Sequence, residues 1–248
     1  MHVDIGRFAP VLSVFGPVVM EVMEKSKDLK PKAKDQSVAA ILLAAGRSER
    51  MGAFKPLLPF GRTTVIEACI NYLNAGGAET IVVVMGHNAQ QIRQHLKNAS
   101  VLFALNPDPS SEMGESIRCG VQMLPPSASA TIVALVDHPA VPPKVVKTLI
   151  DEWRNNAELI IPTWRGRGGH PVLVDLRWRH ELETLDGAAG LKSFFRSHAD
   201  AVRRVPVGSE YVARDIDTWD DYARLYSDVF GQDPPVENQS NESPVRTI

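Results

Sequence analysis

From Val38 onward, short apolar runs alternate with segments whose apolar residues recur at helical spacing. Val38 to Leu43 is apolar throughout and runs into Ala44-Ala45-Gly46, which predicts a strand buried on both faces. Thr64 to Asn74 gathers Val65, Ala68, Cys69, Tyr72 and Leu73 on one side of a helix. The rhythm continues with strands at Thr80–Met85, Val101–Leu105 and Thr131–Val136, and helices at Ala89–Lys97, Glu115–Leu124 and Pro143–Trp153. Two-sided apolar strands separated by such helices indicate βαβ units and a parallel sheet. The pattern then changes. Leu159–Pro162 and Val172–Val174 read as two strands joined by the Gly-rich turn Arg165 to Gly169, a small hairpin set into the sheet protein. A helix at Leu191–Ser197, a strand at Ala201–Val207 and a closing helix at Thr218–Phe230 complete the expectation.

The ends of the chain follow neither period. Phe8 to Met23 is apolar-rich, but Pro10, Pro17 and Glu21 interrupt it. It falls short of the about 20 apolar residues of a spanning helix, and no small-x-small cleavage site follows it. Residues 1–36 are therefore read as an extension and linker, 37–231 as the single folded domain, and 232–248, rich in Pro, Asn, Ser and Glu, as a disordered tail.

Composition narrows the possibilities. At 44% hydrophobic residues the 248-residue chain can build a real core. Its 27 basic residues against 29 acidic ones leave a net charge of −2, which argues against a nucleic-acid-binding surface. No membrane partner is expected either. Cys69 and Cys119 stand far apart, in no metal-type spacing, and read as buried free thiols that fit a reducing, cytoplasmic setting.

Candidate chemistry sits where strands end. After the first strand, Leu43-Ala-Ala-Gly-Arg-Ser-Glu-Arg-Met-Gly-Ala-Phe-Lys55 combines small residues, whose backbone can approach phosphate oxygens, with the cations Arg47, Arg50 and Lys55. It is neither a Walker loop nor a dinucleotide fingerprint, and its composition alone fits a solvated loop equally well. Its spacing, Leu-x-Ala-Gly-x-Ser-x-Arg-Met-Gly-x-x-Lys, resembles the signature of the MobA-like NTP transferases, closest to the molybdenum cofactor (molybdopterin) cytidylyltransferases. Asp137-His138-Pro139, Gly169-His170-Pro171 and Asp215-Ile-Asp-Thr218 with Asp221 follow in that group's order. The resemblance covers about Val38 to Tyr226.

The resemblance implies a single Rossmann-like α/β domain, a mostly parallel twisted sheet with helices on both faces and the hairpin on the acceptor side. It implies transfer of an NMP from an NTP to a phosphorylated acceptor, with Mg²⁺ as cofactor and release of pyrophosphate. Arg50 and Lys55 then neutralise the triphosphate with Asp137 as the third catalytic residue, and Arg47 assists. Asp137 and Asp217 hold the metal, with Asp215 competing for the second place. Leu43, Ala44, Ala45, Gly46, Arg47, Gly114 and Ser116 contact the nucleotide. Gly169, His170, Pro171 and His138 face the acceptor; His138 could also ligate the metal, but such a histidine is more often a hydrogen-bonded wall residue. Ala45, where guanylyltransferases of the group carry Gly, leans the base choice to CTP. Glu115 departs from the group, and Leu185 to Lys192 only partly resembles its Gly-Asp-x-Gly-Ala-Arg stretch.

The implied partners are CTP, an acceptor such as molybdopterin, and a molybdoenzyme or its chaperone. A sugar phosphate or other small phosphate is the alternative acceptor. A non-catalytic, nucleotide-binding, cofactor-loading protein is the reading from a different class.

Overall fold

The computed structural model describes residues 36–46, 51–108, 112–185 and 190–236. The expectations placed on residues 1–35, on Arg47 and Arg50, and on the tail from 237 lie outside the described residues.

Strand β1 (Ser37–Ala44) lies inside the sheet, between β4 (Thr80–Met85) and β6 (Ala128–Leu135). Val38, Ala40, Leu42 and Ala44 face one apolar cluster, while Ala39, Ile41 and Leu43 face another. A period of two that is apolar on both faces makes it a fully buried strand. A short turn (Lys55–Leu57) and the ribbon β2 (Pro59–Phe60) and β3 (Thr63–Thr64) lead to α1 (Val65–Gly76). There Glu67 Oε2 accepts from the Thr64 N–H at 2.8 Å and so caps the helix.

β4 (Thr80–Met85), α2 (Ala89–His95), β5 (Leu102–Leu105), α3 (Met113–Gln122), β6 (Ala128–Leu135) and α4 (Pro143–Arg154) continue the βα alternation. Helix α3 begins two residues before the sequence expectation. β7 (Leu159–Trp164), β8 (Arg167–Gly168), β9 (Val172–Asp175), α5 (Arg179–Glu183), α6 (Gly190–Ser197), β10 (Val202–Pro206) and α7 (Trp219–Phe230) follow.

The eight-stranded sheet runs β10-β7-β9-β6-β1-β4-β5, with β8 paired to β7. β1 is parallel to β4 and β6, and β10 is parallel to β7. Only β9 and β8 run against the rest. The hairpin expected from Leu159 to Val174 thus lies within the main sheet, β9 separating β7 from β6. Helices α1, α2, α4 and α7 pack on one face and α3, α5 and α6 on the other. No helix among the described residues is long and apolar enough to cross a membrane.

Candidate active site

At β1 the chain order reverses, β4 and β5 lying to one side and β6 to the other. Open α/β sheets bind ligands beyond the carboxyl ends of strands at such a point. Ala44 is buried there, Ala45 half-buried and Gly46 exposed. Gly86, just past β4, has no room for a side chain: a Cβ would lie 2.8 Å from the Ala45 carbonyl oxygen. The loops after β1 and β4 therefore touch through backbone, and Ala45 is held in place.

β6 delivers Asp137 to this edge. The segment before α7 is tied to it, because the Ile216 N–H donates to the Asp137 carbonyl at 2.9 Å and the Ile216 side chain is fully buried. That tie carries Asp215 and Asp217 alongside, and one carboxylate oxygen from each of Asp137, Asp215 and Asp217 lies within 4.8 Å of the others. The end of the Asp-Ile-Asp-Thr-x-x-Asp motif has a separate task. Asp221 Oδ2 accepts from the Thr218 N–H at 2.9 Å, and Thr218 Oγ1 accepts from the Asp221 N–H at 3.2 Å. Thr218 and Asp221 thus form the capping box of α7, a task separate from the carboxylates of Asp215 and Asp217.

Lys55 reaches the cluster from the opposite side, its Nζ 3.6 Å from Asp217 Oδ1. It is only 8% exposed, an unusual place for a lysine. Helix α7 holds it there. Tyr222 Oη donates to the Pro59 carbonyl at 2.7 Å, and Phe60 packs edge-on against Phe230 at 5.0 Å and Tyr226 at 6.1 Å. One helix thus anchors both the lysine segment and the aspartate segment, which is why the two meet.

His138 is buried beside Asp137. Its Nδ1 donates to the Tyr211 carbonyl at 3.2 Å, since a carbonyl only accepts, and its Nε2 faces Asp137 Oδ1 at 3.6 Å. Both ring nitrogens of this buried imidazole thus face a polar group. Asp137 Oδ1 is buried and has no hydrogen-bond partner. Burial pushes the Asp137 carboxyl above the ordinary carboxylate range. His138 and Lys55 pull it back down, while Asp215 and Asp217 add to the rise. An all-oxygen donor set with a buried, partnerless carboxylate oxygen fits a hard divalent cation such as Mg²⁺ or Mn²⁺.

Further along the edge, His170 stacks obliquely beside His138, ring centroids 5.8 Å apart. Gly169, expected above to face the acceptor, is pressed against another part of the chain: a Cβ there would sit 1.9 Å from the Val212 carbonyl oxygen. That carbonyl accepts from the His170 N–H at 2.7 Å. Gly169 is therefore required by packing. His170 Nδ1 is buried and without a partner. Pro171 is buried behind it.

On the other flank, Gly114 and Ser116 lie buried in the first turn of α3, and Ser116 Oγ accepts from Asn106 Nδ2 at 2.9 Å. The Ser116 hydroxyl thus ties the loop after β5 to the helix. Leu43 is core, packed in the second apolar cluster. Both cysteines are free; Cys69 is buried and donates weakly to the Val136 carbonyl at 3.6 Å, whereas Cys119 is partly exposed. Tyr211, Tyr222 and Phe60 carry no recognisable motif, and only the folded chain reveals their part in the site.

A switch-point sheet with carboxylates and a buried lysine at its carboxyl edge defines a nucleotide-handling α/β protein. Residues 40–202 match the MobA-like NTP transferase domain, and the chain belongs to that family. It is 30% identical over 197 residues to nicotine blue oxidoreductase of Paenarthrobacter nicotinovorans, covering 76% of this chain and 96% of that protein. It is 28% identical over 141 residues to the molybdenum cofactor cytidylyltransferase of Escherichia coli strain K12, 56% of this chain and 70% of that one. Among solved structures, the Rv0371c protein of Mycobacterium tuberculosis H37Rv in complex with manganese superimposes with a TM-score of 0.67. It is 28% identical and covers 77% of this chain and 99% of its own.

Proposed function

We infer that the protein moves the nucleoside monophosphate of an NTP, CTP by preference, onto the phosphate of molybdopterin or a close relative, releasing pyrophosphate. The observation that carries this reading is the convergence of Asp137, Asp215 and Asp217 with Lys55 at the carboxyl edge of the switch-point strand. Asp137 and Asp217, with Asp215 beside them, would hold Mg²⁺, which when bound there offsets the charge of the phosphates. Lys55 places an ammonium in a poorly solvated position against the same phosphates, where its field is stronger than in water. Arg47 and Arg50 join it in this reading through the motif.

Backbone at Ala44 to Gly46 and the start of α3 at Gly114 receive the nucleoside. The methyl of Ala45 narrows the space for the base. The acceptor enters from the His138–His170 side, and its phosphate meets the NTP in line at the carboxylates. The finished cofactor would pass to a molybdoenzyme or its chaperone in the cytoplasm.

The deciding assay is pyrophosphate release with Mg²⁺ and molybdopterin, offering CTP, GTP, ATP and UTP separately. Release with CTP alone is expected. Release with GTP alone would overturn the base assignment, and none with any NTP would overturn molybdopterin as the acceptor.

A second reading rests on the 30% identity to a protein named as an oxidoreductase. A hydride transfer has no use for a carboxylate cluster, so the cluster favours nucleotidyl transfer. Oxidation of a reduced nicotinamide by a heteroaromatic dye, in the absence of divalent cation, would reverse that preference.

A further inference from the structure

Beyond the carboxylates, on the α6 face of the sheet, lies a cavity of about 640 Å³ whose walls include His170, Ile161, Phe195, Lys192, Arg196 and Arg204. That size suits a small organic molecule. Its wall chemistry is divided. Ile161, Phe195 and their neighbours Leu191, Val172 and Val202 are apolar, while the three cations come from two different elements. Lys192 and Arg196 stand four residues apart on α6, a spacing at which like charges repel. Arg204 joins them from β10, its guanidinium 3.3 Å from where a Cβ on Gly168 would be.

Several other arginines in this part of the chain are ion-paired. Arg203 pairs with Glu152, Arg179 with Glu183, and Arg177 with Glu158 and Asp175. Among the described residues, no acid forms an ion pair with Lys192, Arg196 or Arg204, and none lines the cavity. The His170 ring in the wall adds an unmet hydrogen bond at Nδ1. Three cations with no ion pair among the described residues, above an apolar floor and beside an imidazole whose Nδ1 has no partner, form a seat for a negatively charged group on a flat or apolar body.

His170 lines this seat, and its ring lies 5.8 Å from that of His138, whose Nε2 is 3.6 Å from Asp137 Oδ1. None of Asp137, Asp215 and Asp217 lines the cavity, so a phosphate that reacts at them sits outside the seat. We propose that Lys192, Arg196 and Arg204 select an acceptor carrying a second negative charge on a flat body, remote from the phosphate that is transferred to. The proposal deepens the nucleotidyl-transfer reading and rests on it for the word acceptor. The seat itself is testable without turnover.

Pterin-6-carboxylate, a flat heteroaromatic anion, serves as the probe and uncharged pterin as its control, titrated calorimetrically into the full chain. Tight, salt-sensitive binding of the carboxylate over pterin is expected. Arg196→Ala and Arg204→Ala should each weaken it about tenfold, with CTP–Mn²⁺ affinity unchanged. All three positions are exposed, so these variants should keep the wild-type melting temperature. Equal binding of the two probes, no binding of either, or binding indifferent to both substitutions would overturn the proposal. Loss of CTP–Mn²⁺ binding in the wild-type chain would instead strike the transfer reading and leave the seat to be judged by the probe.

Discussion

Two imidazoles stand side by side at the edge of the sheet, and their surroundings differ. His138 is engaged by the Tyr211 carbonyl and faces a carboxylate. His170 is partly buried with its Nδ1 shielded from solvent, and burial, reinforced by the nearby His138, lowers its pKa from 6.5 to about 4. The folded chain thus keeps His170 neutral at pH values where the unfolded chain protonates it. Stability from this residue is complete above pH 6.5 and lost as the pH falls towards 4, because in that window the unfolded state binds the extra proton. The shift corresponds to roughly 3 kcal/mol. Urea denaturation of wild type and His170→Gln between pH 7 and 4 checks it, since carboxylates titrating in both proteins cancel in the difference. The wild type should lose that much more than the variant over the window. Parallel profiles would mean that His170 takes up its proton in the folded state. The sequence shows His170 within a Gly-His-Pro run but not its burial. That depends on Gly169 lying against the Val212 backbone, more than 40 positions away.

At the scale of elements, α7 explains how distant motif pieces become one site. Its N-terminus follows Asp217 directly and is capped by Thr218 and Asp221. Its body grips the segment that carries Lys55. The apolar spacing of Thr218–Phe230 predicts a helix, but periodicity says nothing of which loop that helix will grip. The same holds for the cationic seat, assembled from α6 and β10, and for β9. A short apolar run such as Val172–Val174 does not reveal that it will enter the sheet antiparallel between β6 and β7. Tyr222→Phe tests the grip. Tyr222 is fully buried, so removing its hydroxyl leaves the Pro59 carbonyl without its donor, at a cost of about 1–2 kcal/mol. The expected kinetic signature is a raised KM for the NTP with the acceptor KM unchanged, because only the lysine segment is released. A variant destabilised to that extent with unaltered NTP KM would show that α7 supports the fold without positioning Lys55.

Across the whole molecule, the half of the sheet built from β1, β4, β5 and β6 is legible because each strand is an apolar run and helices α1, α3 and α4 each have an apolar stripe. Their carboxyl ends then pointed to Asp137 and to the loop after Leu43. What could not be read was how Asp215 and Asp217 would stand with Asp137. That depends on one backbone hydrogen bond, Ile216 to Asp137, spanning nearly 80 positions. The folded chain brings mutually repelling carboxylates together and leaves a buried oxygen of Asp137 without a partner, an arrangement that costs stability until a cation fills it. A cation that binds only the folded state must therefore raise the melting temperature. At about one hundred times its dissociation constant the gain is about 2.7 kcal/mol. For a chain of this size that is roughly 5–10 °C. Mn²⁺ added to the wild-type chain should produce this shift and EDTA should reverse it. Asp137→Asn should remove the response and the turnover together. Without cation it should melt no lower than the wild type, because an amide in that site carries no charge to desolvate. An equal Mn²⁺ response in Asp137→Asn would place the cation elsewhere. A variant that melted well below the cation-free wild type would mean that the Asp137 charge stabilises the fold through Lys55 and His138 rather than waiting for a metal.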